Sequence, residues 1–100
     1  MAIVEISIVP IGTETTSVSH YVAQAVAILQ RSGLRYELSP MGTIIEGDLR
    51  TIMQVILEMH ESVFTQAARR VYTVIKIDDR RDITTNMEYK VRSVEQKLVR

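Results

Sequence analysis

The residues best suited to do chemistry lie in one segment, residues 39–50, with the sequence S-P-M-G-T-I-I-E-G-D-L-R. Pro40, Gly42 and Gly47 bracket a short apolar run that carries a single carboxylate, Glu46. Glycine beside a charged residue is unusual in a strand, because it adds no side-chain packing and costs backbone entropy. A carboxylate next to bare backbone offers an acceptor and room for a flat polar ligand. The alternative is a strand that ends in a turn, with Glu46 on a solvated face.

Catalytic and metal-binding signatures are weak elsewhere in the chain. His60-Glu61 begins like a zinc-protease helix, but the second histidine of H-E-x-x-H would fall on Phe64. The chain has 2 histidines and no cysteine, which excludes a histidine-rich metal centre, thiolate catalysis and disulfides within one protomer. Ser19 and His20 are adjacent and point apart on a helix, which does not suit a nucleophile and its base. We therefore expect a protein that is not an enzyme and requires neither a metal nor a cofactor.

Two further patterns concern anionic partners. Residues 78–82, D-D-R-R-D, hold two arginines, yet alternating charges at a strand end are typical of a solvated salt-bridge cluster rather than of a diphosphate site. Lysine plus arginine equals aspartate plus glutamate, 12 of each, so no net field attracts nucleic acid or an anionic membrane. The predicted strands at 3–8 and 43–47 carry no aromatic residue for base stacking, and nucleic-acid binding is not expected.

Hydrophobic periodicity predicts how these groups are positioned, beginning with a strand and a helix. The first strand spans residues 2–9, where apolar residues occupy every even position before Pro10. From Val18 the apolar spacing becomes helical, with Ser17 as the expected N-cap. Gly33 is expected to end this helix at the C′ position, where a left-handed backbone is needed.

Three more strands and two more helices follow. Strands at 34–38 and 43–49 flank a turn at 40–42, and a fourth strand covers 71–78. The second helix has apolar residues spaced 4, 3, 4 and 4 apart, at Ile52, Ile56, Met59, Val63 and Ala67. The arginines at 69 and 70 are expected at its C-terminus, which favours cations. The last helix carries a narrow stripe suited to docking on a partner or on the domain's own edge, at Met87, Val91, Val94 and Leu98.

The resulting order, β-α-β-β-α-β plus a final helix, is the split-βαβ or ferredoxin-like pattern. We predict an α+β fold in which two helices cover one face of an antiparallel sheet and a C-terminal helix follows. Residues 1–100 are expected to form one domain, with 46% apolar and 24% charged residues as in ordinary globular proteins. No apolar stretch approaches the roughly 18 residues needed to span a bilayer, and the N-terminus has no leader pattern. A cytoplasmic location without membrane contact is expected.

Several of these segments together resemble the thiamine-binding protein family of YkoF-like ferredoxin-like domains. The resemblance is carried by P-I-G-T at 10–13, S-V-S-H-Y-V at 17–22, P-M-G-T-I-I-E-G at 40–47, the helix around His60-Glu61, and the segment 70–80. It covers the chain from Ile3 to about Leu98, and P-M-G-T-x-x-E-G is its most specific part.

The resemblance implies a subunit that assembles through its sheets into a homo-oligomer, commonly a tetramer built as a dimer of dimers. It also implies that the protein binds thiamine, or the hydroxymethylpyrimidine part of thiamine, without turnover.

An aminopyrimidine presents an amine donor and two ring nitrogens in one plane. Glu46 is the candidate acceptor for the amine or for a protonated ring nitrogen, in a charge-assisted bond of about 1.5–3 kcal/mol. Candidate groups for the remaining edge are backbone atoms and hydroxyls at Gly12, Thr13, Ser17, Ser19, Gly42 and Thr43. Candidate walls for the ring are Met41, Tyr21 and Tyr36, and an aromatic face would also suit the cationic thiazolium.

Other classes of function stay open at this point. A regulatory domain would bind another small metabolite at a subunit interface and change the assembly. A structural oligomer would bind no ligand. A small enzyme would need a general base with a partner, for which the candidates are Glu46, Glu61 and His60. Self-association is favoured by apolar residues expected on a sheet face that the two helices leave uncovered, namely Ile44, Tyr72 and Val74.

Overall fold

Four strands and three helices follow one another in the computed structural model, which describes residues 1–14, 16–65, 67–83 and 86–98. The strands are β1 (Ala2–Ile11), β2 (Arg35–Ser39), β3 (Gly42–Gly47) and β4 (Arg70–Asp79). The helices are α1 (Ser19–Ser32), α2 (Leu49–Val63) and α3 (Met87–Leu98). The element order and the antiparallel pairing confirm the predicted α+β ferredoxin-like fold with a C-terminal helix.

The sheet has the strand order β2-β3-β1-β4. β1 pairs with β4 along its whole length, and this pairing carries β1 to Ile11, two residues beyond the predicted end. Pairing with β3 stops earlier, at Ile6 opposite Thr43. In the described part of the chain, residues 7–11 of β1 therefore have a neighbouring strand on one side only.

The core lies between the sheet and the helices α1 and α2. Val4 and Ile6 of β1 and Ile45 of β3 are buried in one cluster with Leu29 of α1 and Ile52 of α2. Side chains of this size contribute roughly 1.5–3 kcal/mol each when they are fully buried. The period of two in the strands and of 3.6 in the helices thus decides which sheet face the helices cover.

The ends of α1 agree only in part with those predicted from the sequence. Gly33 follows the helix with φ of 78°, the left-handed conformation predicted for it. The N-cap is Val18 rather than the predicted Ser17, and the Val18 side chain makes no capping hydrogen bond. The prediction was wrong by one residue because capping depends on backbone angles as well as on residue type.

The second helix begins earlier and ends earlier than predicted. Asp48 caps α2 by accepting hydrogen bonds from the Thr51 backbone N–H and hydroxyl, both at 3.1 Å, and these bonds hold the pKa of Asp48 below its ordinary value of 3.8. β3 therefore ends at Gly47 instead of at 49. The helix stops at Val63, so the predicted contribution of residue 67 and of the arginines at 69 and 70 to its last turn was wrong. Arg70 instead opens β4.

The third helix lies on the outer face of the sheet, which is the face opposite α1 and α2. Its first residue, Met87, is buried, whereas Val91, Val94 and Leu98 are 57%, 59% and 74% exposed. The alternation of β4 places Tyr72 and Val74 on this outer face, and both are exposed. No helix in the described ranges is long and apolar enough to cross a membrane.

Candidate ligand-binding site

A cleft of about 260 Å³ opens between α1 and the β2–β3 hairpin. We call it the helix-side cleft. One wall is residues 6–9 of β1, where the neighbouring strand ends, and the opposite wall is the face of α1 that holds Val22 and Ala25. The hairpin from Leu38 to Thr43 closes the third side. The cleft exists because β3 is shorter than β1, so the space beside the last residues of β1 is not filled by a strand.

All four residues of the P-M-G-T segment, 40–43, line this cleft. Met41 stands at its rim and is 85% exposed, whereas Thr43 is buried within it. Gly42 lies where a Cβ atom would come within 3.0 Å of the carbonyl oxygen of Ile6. Glycine at this position therefore lets the hairpin approach β1 closely.

The helix-side cleft is apolar and uncharged. None of the described residues that line it has an ionisable side chain, and three of them carry a hydroxyl, namely Thr43, Ser39 and Ser7. Ser7 lies opposite Val74, so its side chain is on the outer face of the sheet. The Ser39 hydroxyl donates to the carbonyl oxygen of Gly42 at 2.8 Å, so it braces the hairpin. Such a lining suits a flat neutral ring that is held by hydrogen bonds to hydroxyl and main-chain groups.

Glu46 lies elsewhere, on the outer face of the sheet. It is 6% exposed, and both of its oxygens have partners within the chain. Oε1 accepts from Nη1 of Arg35 at 2.7 Å, and Oε2 accepts from the backbone N–H of Met87 at 2.9 Å. Arg35 also pairs with Glu88. This carboxylate ties α3 to the sheet, and its predicted role as a ligand acceptor would require those bonds to be given up.

The two predicted aromatic walls do not line the helix-side cleft. Tyr21 is buried in the core, and Tyr36, opposite Ile45 in the sheet, is half-buried and packs against that core. The remaining predicted residues belong to the β1–α1 connection or to the start of α1. Gly12 adopts φ of 84° in an exposed turn, Thr13 is half-buried, and the others, Ser17 and Ser19, are exposed.

A second cleft, of about 350 Å³, lies on the outer face between β2 and α3. We call it the outer cleft. Met87 and Val91 form its apolar part, and Glu37, Glu88 and Glu95 make it acidic, with Arg92 as its cation. It contains none of the residues predicted to bind a ligand. The helix-side cleft is therefore the better candidate, although it is smaller.

His60 and the charged segment 78–82 both make contacts within the chain. Nδ1 of His60 lies 2.7 Å from the Thr73 hydroxyl, and its ring meets Phe64 edge-on at 5.4 Å. The charged segment forms ion pairs within itself and to α3, namely Arg80–Asp82, Arg81–Asp79 and Lys90–Asp78. Within the described residues, no group of three or more histidine, aspartate or glutamate side chains could hold a metal ion.

Sequence reasoning missed the α1 and β1 walls of the helix-side cleft. On α1, Val18 and Val22 line the cleft, and Val22 is 38% exposed. For β1 a signal was present, because Pro10 lacks a backbone N–H and strands hold proline mainly where no partner needs that donor. It indicates an open edge beside residues 7–11.

Comparison with known proteins gives relatives of nearly the same length. The UPF0045 protein YqgV of Bacillus subtilis is 47% identical over 98% of this chain and 98% of its own. A UPF0045 protein of Methanothermobacter thermautotrophicus is 44% identical over 98% of this chain and 100% of its own.

Solved structures share the fold. A hypothetical protein of Methanocaldococcus jannaschii superposes with a TM-score of 0.87 at 34% identity, over 95% of this chain and 96% of that one. A protein of Thermotoga maritima, whose name assigns it provisionally to thiamine biosynthesis or salvage, gives a TM-score of 0.78 at 27% identity, over 93% of this chain and 97% of that one. The family described as "Thiamine-binding protein" matches residues 4–95, and the chain belongs to this family.

Proposed function

We propose that the protein is a non-catalytic binding protein for thiamine or for its hydroxymethylpyrimidine part, and that the pyrimidine occupies the helix-side cleft. Membership of a family described as thiamine-binding supports the ligand class. The structural relative that is named for thiamine biosynthesis or salvage supports it as well. The observation that carries the choice of site is that Met41, Gly42 and Thr43, which belong to the most specific segment of the family resemblance, P-M-G-T-x-x-E-G, line this cleft.

The size of the cleft favours one ring over a whole large ligand. Pockets of about 300–1,000 Å³ accommodate drug-sized molecules, and the helix-side cleft is slightly smaller at about 260 Å³. Val22 and Ala25 offer a flat apolar surface on one side, and Thr43 offers a buried hydroxyl on the other. A methylated pyrimidine, apolar on its faces and polar at its edges, fits this division.

The charge distribution favours recognition through the pyrimidine rather than through the thiazolium. A buried cation needs a nearby carboxylate or an aromatic face. The described lining of the helix-side cleft supplies neither, so the thiazolium of bound thiamine would point out past Met41 towards water.

We propose further that the protein works as a cytoplasmic homo-oligomer, a tetramer built as a dimer of dimers. Support comes from two sets of exposed apolar side chains: Tyr72 and Val74 on the outer face of the sheet, and Val91, Val94 and Leu98 on α3. Exposed apolar sets of this kind are typical of an interface. A twofold axis would let each copy cover the other's patch.

A second candidate function has one observation in its favour. The outer cleft adjoins this proposed interface and presents Glu37, Glu88 and Glu95 beside apolar Val91. A small cationic metabolite bound there would contact α3 and so alter assembly, as a regulatory domain requires. Titration of the protein with thiamine-related ligands separates the two proposals, since only the first predicts selectivity for an aminopyrimidine.

The test is calorimetric titration of ligand-free protein with thiamine, with hydroxymethylpyrimidine and with the thiazole half. We expect saturable binding of the first two and none of the third. Thr43→Val, which removes the buried hydroxyl, is expected to weaken pyrimidine binding by about three- to tenfold. Ser19→Ala, on the exposed start of α1, is the matched control and should leave binding unchanged. Absence of heat with all three ligands would contradict the proposal.

A further inference from the structure

The main chain of β1 carries hydrogen-bonding groups that point into the helix-side cleft. In an antiparallel sheet the N–H and C=O of one residue point to the same neighbouring strand, and those of the next residue point to the other. The register between β1 and β4 is continuous from Ala2 opposite Asp79 to Ile11 opposite Arg70, so no bulge interrupts this alternation. Beyond Ile6, every second residue of β1 therefore directs its polar groups to the side where β3 has ended.

Two observations identify which residues those are. The carbonyl oxygen of Ile6 lies 3.0 Å from the position that a Cβ of Gly42 would occupy, so the main-chain groups of Ile6 point towards β3. Pro10 has no N–H to donate, and a proline inside a strand sits where its nitrogen faces away from a paired neighbour. Both observations indicate that the main-chain N–H and C=O groups of the even-numbered residues of β1 point to the β3 side. Between them lies Ile8, which is opposite Thr73 of β4 and lines the helix-side cleft.

We propose that the backbone N–H and C=O of Ile8 are the pair that recognises the amine-bearing edge of an aminopyrimidine. The carbonyl oxygen of Ile8 accepts from the exocyclic amine, and its N–H donates to the adjacent ring nitrogen. The ligand thus adds to the open edge of β1 as a short strand would. This inference rests on the proposed function, and it names the atoms that make the cleft selective.

The pair also explains why an uncharged cleft can be specific. In the 4-oxo analogue the amine is replaced by a carbonyl oxygen, which would face the Ile8 carbonyl, and the adjacent ring N–H would face the Ile8 N–H. Both hydrogen bonds are then lost and replaced by repulsion. Sites that are built around hydrogen bonds reject such analogues strongly, so we expect the oxo compound to bind at least about 100-fold more weakly than hydroxymethylpyrimidine.

The experiment combines amide exchange with a substitution that removes one of the two groups. The probe is hydroxymethylpyrimidine, and the protein is the full chain in its native oligomeric state. Amide hydrogen exchange measured by NMR should show a rapidly exchanging Ile8 N–H in the free protein, slowed at least about tenfold at saturating ligand. Ile8→Pro removes the N–H, and Ile8→Ala is the matched control that shortens the side chain but keeps the N–H. Proline should weaken binding about tenfold relative to alanine.

The outcomes separate this inference from the proposed function. If hydroxymethylpyrimidine binds but the Ile8 amide is unaffected, the inference is overturned and the function stands. If the Ile8 amide is already protected without ligand, another strand covers the edge and the inference is again overturned. If no pyrimidine binds at all, both are overturned. The exchange measurement on the unsubstituted protein decides the matter even if Ile8→Pro does not fold.

Discussion

The two halves of β1 stand in opposite surroundings. Residues 2–6, the closed end, have β3 on one side and β4 on the other, and the first turn of α3 lies across their outer face. Residues 7–11, the open end, pair within the described part of the chain with β4 alone, and residues 7–9 border the helix-side cleft. One strand therefore serves as a fully paired scaffold at one end and as an accessible edge at the other.

The two ends of β1 also differ in the charged side chains around them. Arg35, Glu46, Ile3 and Asp78 form one cross-strand row at the closed end, and its charged members pair with each other or with α3. The described lining of the open end has no ionisable side chain. A charge inside a sheet needs an internal partner, whereas an open edge already offers neutral donors and acceptors of its own. Glu46 shows that a carboxylate in a strand can find both of its partners within the chain when a helix covers it.

The largest effect is expected on assembly, at the exposed apolar stripe of α3 that holds Val91, Val94 and Leu98. Val94→Glu places a charge in the exposed apolar stripe and should raise the concentration at which the oligomer dissociates by about tenfold or more. Light scattering over a dilution series measures this. Arg92→Glu introduces the same side chain two residues away and is the control. An unchanged mass at every concentration for Val94→Glu would exclude the stripe from the interface.

The next effect is on stability and concerns Glu46, the carboxylate that ties α3 to the closed end of β1. Glu46→Ala removes the acceptor for both Arg35 and the Met87 N–H, and should lower the free energy of unfolding by about 2–3 kcal/mol, measured by urea denaturation. Glu46→Gln keeps a hydrogen-bond acceptor and should lower the free energy of unfolding by less than Glu46→Ala does. Glu58→Ala, at an exposed position of α2, is the control.

Glu46→Gln also tests whether ligand binding at the open end depends on the carboxylate at the closed end. If Glu46 serves only the closed end, Glu46→Gln leaves hydroxymethylpyrimidine affinity unchanged in calorimetry. A loss of tenfold or more in a folded variant, roughly one hydrogen bond, would return Glu46 to the ligand site.

A smaller stability effect is expected where the hairpin meets the open end. Gly42→Ala brings a Cβ within 3.0 Å of the Ile6 carbonyl oxygen and should cost about 1–2 kcal/mol of stability as the hairpin shifts. Because the hairpin forms one wall of the helix-side cleft, pyrimidine affinity should fall as well. Met41→Ala, at the neighbouring exposed position, is expected to leave stability unchanged. Equal stability of Gly42→Ala and the unsubstituted protein would contradict the close approach.

The smallest effect is expected at the N-terminus of α2, just beyond the closed end. The hydrogen bonds from Thr51 lower the pKa of Asp48, so the stability that this cap contributes is present above the ordinary value of 3.8 and is lost as the pH falls through the lowered value. Asp48→Asn keeps an acceptor without titrating there, and should remove this part of the acid dependence. Urea midpoints between pH 2 and about 5 test this, and identical pH profiles for both proteins would contradict it.

The element order and the apolar core followed from local patterns in the sequence. Alternation in β1 and the spacing of Ile52, Ile56 and Met59 are properties of neighbouring residues, and burial of apolar area enforces them. The first and last residues of the helices and strands were predicted less accurately than their order. Asp48 was read as part of a strand although D-L-R-T offers a cap before a helix, and the cap determined where α2 begins.

The candidate site was predictable only along the P-M-G-T hairpin. Met41, Gly42 and Thr43 are consecutive, so one turn keeps them together. Glu46 is near them in sequence, but the period of two in β3 places its side chain on the opposite face from that of Thr43. Partners 11 and 41 residues away then hold it there.

The family, the α+β order of elements and the apolar faces followed from the sequence, because these depend on residue type and short spacing. Packing of the whole chain was needed to show that the pairing of β3 with β1 ends at Thr43 opposite Ile6, that α3 closes one end of the sheet, and that the other end stays open beside α1. These features depend on where strands of unequal length end against each other. Apart from Pro10 in β1, no local pattern indicates these features, since the groups that meet are distant in sequence and are brought together only by packing.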